Sequence, residues 1–466
     1  MAEQYTEMFV NSDEVESGTI IPIHVLSVAG LAKWLSGQSQ LTQNWVSQQQ
    51  FTALPGTHLI VPDSEGQIAK VLLGKHSNVG VCLLQELPAV LPEADYQLSE
   101  PAGMEAYLGW GLACYKFSRY TKKKTAWPRL CLPAEYQAEV LRLLRATNLV
   151  RDLVNTPTQD MGPAHLADQA EQLAESMRAD FKVIIGEHLL DKNYPAIHAV
   201  GRAAADDRAP RLIHLSWGEP DQPLLALVGK GVCFDTGGLD IKPASGMLRM
   251  KKDMGGAAHA LALAELVMSA NLPVRLELLI PAVENSISAD AYRPGDVINT
   301  RKGLSVEIGN TDAEGRLILA DALTKAGEME ADLIIDFATL TGAARVALGP
   351  DLPPLFSNNK QVLESIHNCG DTVGDPLWPM PLYQPYAKAL NSNIADLNNI
   401  SSGLTGAGAV TAALFLQQFV TDSTDWVHID TYAWNDKNYP GRPAGGEALG
   451  LRAVFSSLQL RYSGSK

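Results

Sequence analysis

Apolar residues fall into two regimes along the chain. Up to about residue 130 they come in short runs, Thr19–Leu26 and Val71–Leu73 among them, broken by Gly, Ser and Pro, with one helical stretch near Met104–Phe117. This predicts a small N-terminal α/β domain over 1–133. From Ala134 to Val154, Val140, Leu141, Leu143, Leu144 and Leu149 recur at helical spacing until Asn155-Thr156-Pro157 stops the helix, which gives a linking helix over 134–157. Beyond it, strand-like runs at Phe181–Ile185, Leu224–Val228, Arg275–Ile280, Ser305–Ile308 and Ala331–Phe337 alternate with helical runs at Pro163–Met177, Gly256–Ala270 and Leu317–Gly327. Such interleaving predicts an α/β fold over 158–466, a mixed, largely parallel sheet flanked by helices. In sheets of this kind ligands gather at the carboxyl ends of the strands.

A length of 466 residues exceeds what one hydrophobic core organises and agrees with this division. The net charge of −15 argues against nucleic acid as the main partner, because phosphate binding needs a surplus of Lys and Arg. The one dense cationic run, Lys122-Lys123-Lys124, reads as a solvated loop. The opening Met-Ala-Glu-Gln has no basic segment followed by an apolar stretch, and no apolar run approaches the roughly 18 residues that cross a bilayer. Five scattered cysteines without C-x-x-C spacing imply neither a disulfide framework nor a thiolate zinc site. The expectation is a cytoplasmic protein with no membrane attachment.

Three loops at the ends of the predicted strands carry the chemistry. After Leu224–Val228 comes Gly229-Lys230-Gly231-Val232-Cys233-Phe234-Asp235-Thr236-Gly237-Gly238, then Lys242-Pro243; Lys251-Lys252-Asp253-Met254-Gly255 precedes the Gly256 helix; Asn310-Thr311-Asp312-Ala313-Glu314-Gly315-Arg316 follows the Ser305 strand. Alone, Asp253 or Asp312 reads as a turn or cap, Glu314 as a first-turn residue, and Lys230 or Lys242 as surface. Together, Asp235, Asp253, Asp312 and Glu314 would repel one another unless cations neutralised them, and four negative charges match two divalent ions. Oxygen-rich ligation without an H-E-x-x-H pattern suits Mn²⁺, Mg²⁺ or Zn²⁺ in a two-metal site. His428 reads as a packed structural histidine. Gly229-Lys230 lacks the glycine and the Ser or Thr of a phosphate loop, and the glycines of Ser402–Gly408 read as a rim loop or tight helix packing.

The run Asn310-Thr311-Asp312-Ala313-Glu314-Gly315-Arg316-Leu317 resembles the leucyl aminopeptidase family, the cytosol aminopeptidases or M17 metallopeptidases. Val228–Gly231, Phe234–Gly238, Tyr292–Val297 and Ala338–Ala343 support the likeness, which spans roughly 152–452. It implies that Lys230, Asp235, Asp253, Asp312 and Glu314 ligate two divalent ions, Mn²⁺ or Zn²⁺, with Asp235 and Glu314 bridging both. Lys242 and Arg316 are then the catalytic cations, with a bicarbonate at Arg316. Met250, Asn310, Ala313, Thr339, Leu340 and Gly342 fall at substrate-binding positions, whose apolar character suits a Leu-like first residue. The implied activity is hydrolysis of N-terminal residues from peptides by a water activated between the ions, in a homohexamer. Departures are Thr236 in place of Ser, Asp240 near Lys242, and Thr431-Tyr432-Ala433-Trp434 after Asp430, where Tyr432 and Trp434 reshape the pocket. The alternatives are a non-catalytic DNA-binding protein or structural hexamer, which the complete set of seven site residues and the acidic balance oppose, and a two-metal phosphoesterase, which a lysine ligand opposes.

Overall fold

The computed structural model describes residues 7–11, 20–76, 80–122 and 125–463. The opening four residues, Thr19, Lys123 and Lys124 lie outside them. The chain forms two compact units, Met1–Arg145 with Lys437–Ala444, and Ala146–Asp436 with Gly445–Lys466. The division falls inside the helix Ala134–Asn155, so the stretch read as a linker is a continuous 22-residue helix with its residues in both units.

The first unit is built on a sheet of β1 (Phe9–Val10), β2 (Ile21–Leu26), β3 (His58–Pro62), β4 (Ile68–Gly74), β5 (Asp95–Leu98) and β6 (Arg129–Cys131), in the order β1-β6-β5-β2-β4-β3. Its pairings are parallel except for the β3–β4 hairpin. Helices Val28–Ser36 and Gln40–Gln48 start on Ser27 and Ser39, whose side chains accept a first-turn N–H. A core of Val46, Phe51, Val61 and Leu72 forms beneath them.

The second unit carries β7 (Asp180–Ile185), β8 (Arg211–Trp217), β9 (Leu224–Gly229), β10 (Gly231–Asp235), β11 (Arg275–Asn285), β12 (Val297–Asn299), β13 (Ser305–Glu307), β14 (Leu333–Ala338), β15 (Pro354–Ser357), β16 (Trp378–Pro379), β17 (Leu397–Asn398) and β18 (Asp425–Asp430). The main sheet runs β16-β15-β18-β14-β9-β11-β8-β7, with β10 paired to the far end of β11. Its centre is parallel, the β11–β8, β8–β7 and β18–β15 pairings are antiparallel, and the edge pairing β15–β16 is parallel again. Leu224 to Gly229 and Leu333 to Ala338 are buried throughout, as expected of strands covered on both faces. Burying each such Leu or Ile contributes about 1.5–3 kcal/mol. Helix Gly255–Ser269 packs on β9 and β14 beside helices Pro163–Met177 and Leu451–Ser463, while helix Gly315–Glu328 packs on β9 and β11 beside Pro195–Gly201 and Gly408–Gln417.

Two expectations change. The segment after Leu224–Val228, read as a loop, re-enters the sheet as β10, because β11 is long enough to pair with β9 along its first half and β10 along its second. The Ser305 strand, β13, belongs to a separate three-stranded sheet with β12 and β17. Asp312 and Glu314 therefore reach the main sheet from outside it, at the start of helix Gly315–Glu328.

Candidate active site

Lys230 occupies the one-residue break between β9 and β10. Its amide donates to Phe337 O on β14 at 3.0 Å and its carbonyl accepts from Ala257 N at 2.8 Å, which fixes the residue at the strand end. The side chain passes over Gly315, where a Cβ would lie 2.8 Å from Lys230 Nζ, so glycine is required there. Nζ then meets Asp253 Oδ2 at 2.7 Å, Glu314 Oε1 at 2.9 Å and Thr339 O at 3.0 Å.

Asp235 ends β10 and is followed by Gly237 and Gly238 at φ +88° and +64°, a turn that brings the chain back to Lys242. Asn285 Nδ2 and Gly237 N both donate to Asp235 Oδ1 at 2.8 Å. Lys242 Nζ approaches the other oxygen at 2.8 Å and also pairs with Asp312. Asp253 comes from the 3₁₀ turn Met250–Met254, and Thr339 Oγ1 donates to its Oδ1 at 2.8 Å. Asp312 is set by Asn310 Oδ1, which accepts the Asp312 amide at 2.7 Å. Glu314 sits at the N-cap of helix Gly315–Glu328, where the helix dipole favours a carboxylate. Asp240 points to Thr311, accepting its N–H and hydroxyl, so the extra charge noted near Lys242 is committed to a loop contact.

The sequence-predicted ligands thus converge, three from main-sheet strand ends or their following turns and two from the Asn310–Gly315 segment. Oxygens of Asp235, Asp312 and Glu314 lie within 4.8 Å of one another. Lys230, Asp235, Asp253 and Glu314 are at most 3% exposed. Asp253 Oδ2, Glu314 Oε1 and Asp312 Oδ1 touch lysines as ion pairs without hydrogen-bond alignment, and Glu314 Oε2 has no hydrogen-bond partner. Buried carboxylate oxygens left in this state fit hard, oxygen-preferring divalent ions, so the donor set suits the group it was predicted to hold.

The charges confirm the crowding. Burial acts to lower Lys230 and Lys242, but the facing carboxylates outweigh it and raise both. Burial and then Asp235 raise Asp312 to about 6 and also raise Glu314. A neutral Lys230, as ligation requires, follows only where a stronger cation replaces its charge among these groups.

These ligands open onto a cavity of about 390 Å³ that Lys242, Met250, Thr339, Leu340 and Gly342 also line. Asn310, Ala313 and Arg316 do not line it. Asn310 and Ala313 carbonyls accept from Asn399 Nδ2, and Arg316 Nη1 donates to Asn399 O at 2.6 Å. Burial lowers Arg316 to about 10, and its Nε has no hydrogen-bond partner. His428 is packed as expected: fully buried, 2.6 Å from Asp336 Oδ1 and stacked on Phe356.

Sequence reasoning missed Asp430 and a cationic wall of the cavity. Asp430 Oδ1 accepts from Leu340 N and Thr341 N, and Oδ2 from Thr341 Oγ1 at 2.7 Å, which holds the turn carrying Thr339. Arg249, Lys252 and Arg345 surround Tyr432. Burial lowers Lys252 to about 8. The pair Lys251-Lys252 directly before Asp253 was the available signal.

Residues 148–455 match the catalytic domain of the cytosol aminopeptidase family, Peptidase M17, and residues 21–133 match the N-terminal domain of M17 aminopeptidases. The chain belongs to the cytosol aminopeptidase family. It is a hydrolase acting as an aminopeptidase, and it resembles named M17 relatives across most of its length. It is 40% identical over 412 residues to a probable cytosol aminopeptidase of Syntrophotalea carbinolica, covering 84% of this chain and 80% of that one. It is also 40% identical over 365 residues to Peptidase B of Yersinia pestis, covering 75% and 84%. The crystal structure of the cytosol aminopeptidase from Coxiella burnetii superposes with a TM-score of 0.92 at 48% identity, over 96% of this chain and 98% of that one. The bottromycin maturation enzyme BotP in complex with Mn does so at 0.85 and 29%, over 96% and 100%. Divalent metal dependence accords with M17 membership, with that Mn complex and with the carboxylate cluster.

Proposed function

We propose that this M17 enzyme removes N-terminal residues from peptides at a two-metal centre held by Lys230, Asp235, Asp253, Asp312 and Glu314. The observation that carries this reading is the cluster of four carboxylates, Asp235, Asp253 and Glu314 buried and Asp312 partly so, whose oxygens are incompletely hydrogen-bonded. Divalent ions bound there, Mn²⁺ or Zn²⁺, supply acidified water and polarisation of the scissile carbonyl. By the resemblance, Lys230 and Asp253 would hold one ion and Asp312 the other, with Asp235 and Glu314 available to either. Lys242, between Asp235 and Asp312, donates to the oxygen that becomes negative as the carbonyl is attacked. Arg316, with its unpaired Nε, is the group that holds a small anion such as bicarbonate. Met250, Leu340 and Ala344 give the cavity an apolar wall that accepts an aliphatic side chain, Leu-like or Met-like. A homohexamer in the cytoplasm, as the resemblance implies, completes the reading.

The test is turnover of Leu-p-nitroanilide with Mn²⁺ or Zn²⁺, alongside metal content by mass spectrometry. Asp312→Asn and Glu314→Gln are expected to abolish hydrolysis with the fold intact. Near-normal turnover in either variant would remove the basis of the proposal.

A further inference from the structure

The carboxylate cluster is assembled from separate pieces of chain, and one side chain touches two of them. Asp235 closes β10, whereas Asp312 and Glu314 precede helix Gly315–Glu328. Asn285 ends β11 as the register partner of Asp235 and is fully buried. Its Nδ2 donates to Asp235 Oδ1 at 2.8 Å and to the carbonyl of Thr311, the residue before Asp312, at 3.0 Å. A carbonyl and a carboxylate oxygen both accept, so the amide has one workable orientation; turned over, its oxygen would face two acceptors. The buried Tyr292 hydroxyl donates to the same Thr311 carbonyl at 2.5 Å, which occupies both lone pairs of that oxygen. Thr311 Oγ1 in turn donates to Gly237 O at 2.6 Å, in the turn that follows Asp235.

This orientation is not free of cost. Among the described residues Asn285 Oδ1 has no hydrogen-bond partner, and a Cβ at Gly238 would lie only 2.9 Å from it. A buried amide oxygen left in that state destabilises the fold. Packing alone is served better by an apolar side chain, and a polar group kept at the expense of stability beside a functional cluster points to a task in that cluster.

We propose that Asn285 is a positioning residue that couples two halves of the centre: one amide holds both Asp235 and the Thr311–Asp312 segment, and so keeps Asp235 within reach of both ions. Asn285 touches neither ion nor substrate in this role. The proposal rests on the two-metal reading and adds the group that makes the two ion sites interdependent.

The test is Mn²⁺ binding by the metal-free protein, followed by titration calorimetry and, at two ions per chain, by electron paramagnetic resonance. Two Mn²⁺ ions that share a carboxylate give an exchange-coupled spectrum, and ions bound apart give the hyperfine pattern of isolated Mn²⁺. The wild type is expected to bind two coupled ions. Asn285→Ala and Asn285→Asp are each expected to weaken the second ion by about 10- to 100-fold, the range for losing a group that orients a metal ligand, and to replace the coupled spectrum by the isolated one. The Asp variant separates position from charge, because it has nearly the same shape and its added negative charge would by attraction alone tighten ion binding. Tyr292→Phe removes the other donor to Thr311 O and leaves Asn285 on Asp235, so it should lose thermal stability while its Mn²⁺ affinity stays within about threefold of wild type. Unchanged or tighter binding with a coupled spectrum in the Asn285 variants overturns the inference and leaves the two-metal reading standing. An equal loss of affinity in Tyr292→Phe overturns it as well, since the network would then act as general support, and so does failure of both Asn285 variants to fold. A wild type that binds fewer than two ions overturns both readings.

Discussion

Replacing Lys242 by Met removes one cation from the centre and keeps the length of the side chain. Lys242 Nζ lies 2.8 Å from Asp235 Oδ2, pairs with Asp312 as well, and its side chain is 14% exposed. At that distance and an effective dielectric of about 20, the attraction to Asp235 is roughly 6 kcal/mol before desolvation is subtracted. Desolvation of a mostly buried ammonium and carboxylate offsets much of it, so little of that figure is net stability. The catalytic share is set by what the ammonium does for a developing oxyanion, where losing one preorganised donor costs about 2.7–4 kcal/mol, a 10²- to 10³-fold fall in kcat. Binding of the ground-state substrate does not use this donor in the same way, so KM should move by only a few fold. The carboxylates stay in place, and metal content should hold. The assay is steady-state hydrolysis of Leu-p-nitroanilide at saturating Mn²⁺, with metal stoichiometry measured on the same samples. A kcat within about threefold of wild type refutes the assigned role. A rate loss matched by an equal loss of metal refutes it too, because Lys242 would then act only as a counter-ion to Asp235 and Asp312.

Two further outcomes are expected. Asp430→Ala removes three hydrogen bonds from the turn that carries Thr339, so metal affinity or activity should fall about 10- to 100-fold, while Asp430→Asn, whose carbonyl can still accept from Leu340 N and Thr341 N, should lose less; equal effects of the two in metal titrations would show that the turn is held another way. Asp321 is fully buried and accepts N–H bonds from Ala196, Ile197 and Arg301; burial outweighs these and pushes it up to about 7. Its folded value lies above the unfolded one, so the folded state holds the extra proton, and the stability of the wild type relative to Asp321→Asn should decrease from about pH 4 to about pH 7 and then level off. Thermal unfolding of both proteins at pH 5 and pH 8 checks this, and a wild type that gains stability relative to the variant as pH rises would contradict it.

The sequence made the centre of the catalytic unit legible because β9 is apolar on both faces and β14 is apolar but for Asp336, while charged Lys230 and Asp235 follow β9. Loops after such strands have few other uses for Lys230 and Asp253. The segment Gly231–Asp235 was read as a loop because two glycines flank it at 229 and 231 and an aspartate closes it, and its strand character depends on a neighbour some fifty residues away. β8 was missed because His214 and Ser216 interrupt its apolar pattern, and both face Glu277 on β11. β13 was found but placed in the wrong sheet, since a short strand carries no record of its partners. Of the Tyr432 wall the sequence showed only Tyr432 itself and the lysines before Asp253: positions 249, 252, 345 and 432 share no spacing, and only the packed fold brings them around one ring.

The order in which the strands are made has a consequence for the living cell. Every candidate ligand from Lys230 to Glu314 leaves the ribosome well before β18, yet β18 fills the gap between β14 and β15 and delivers Asp430 to the Thr339 turn. Without that strand β14 and β15 share no neighbour, and the Thr339 turn loses the three hydrogen bonds that Asp430 accepts. A copy that stops before β18 therefore lacks the acceptor that holds the Thr339 turn beside the carboxylate cluster.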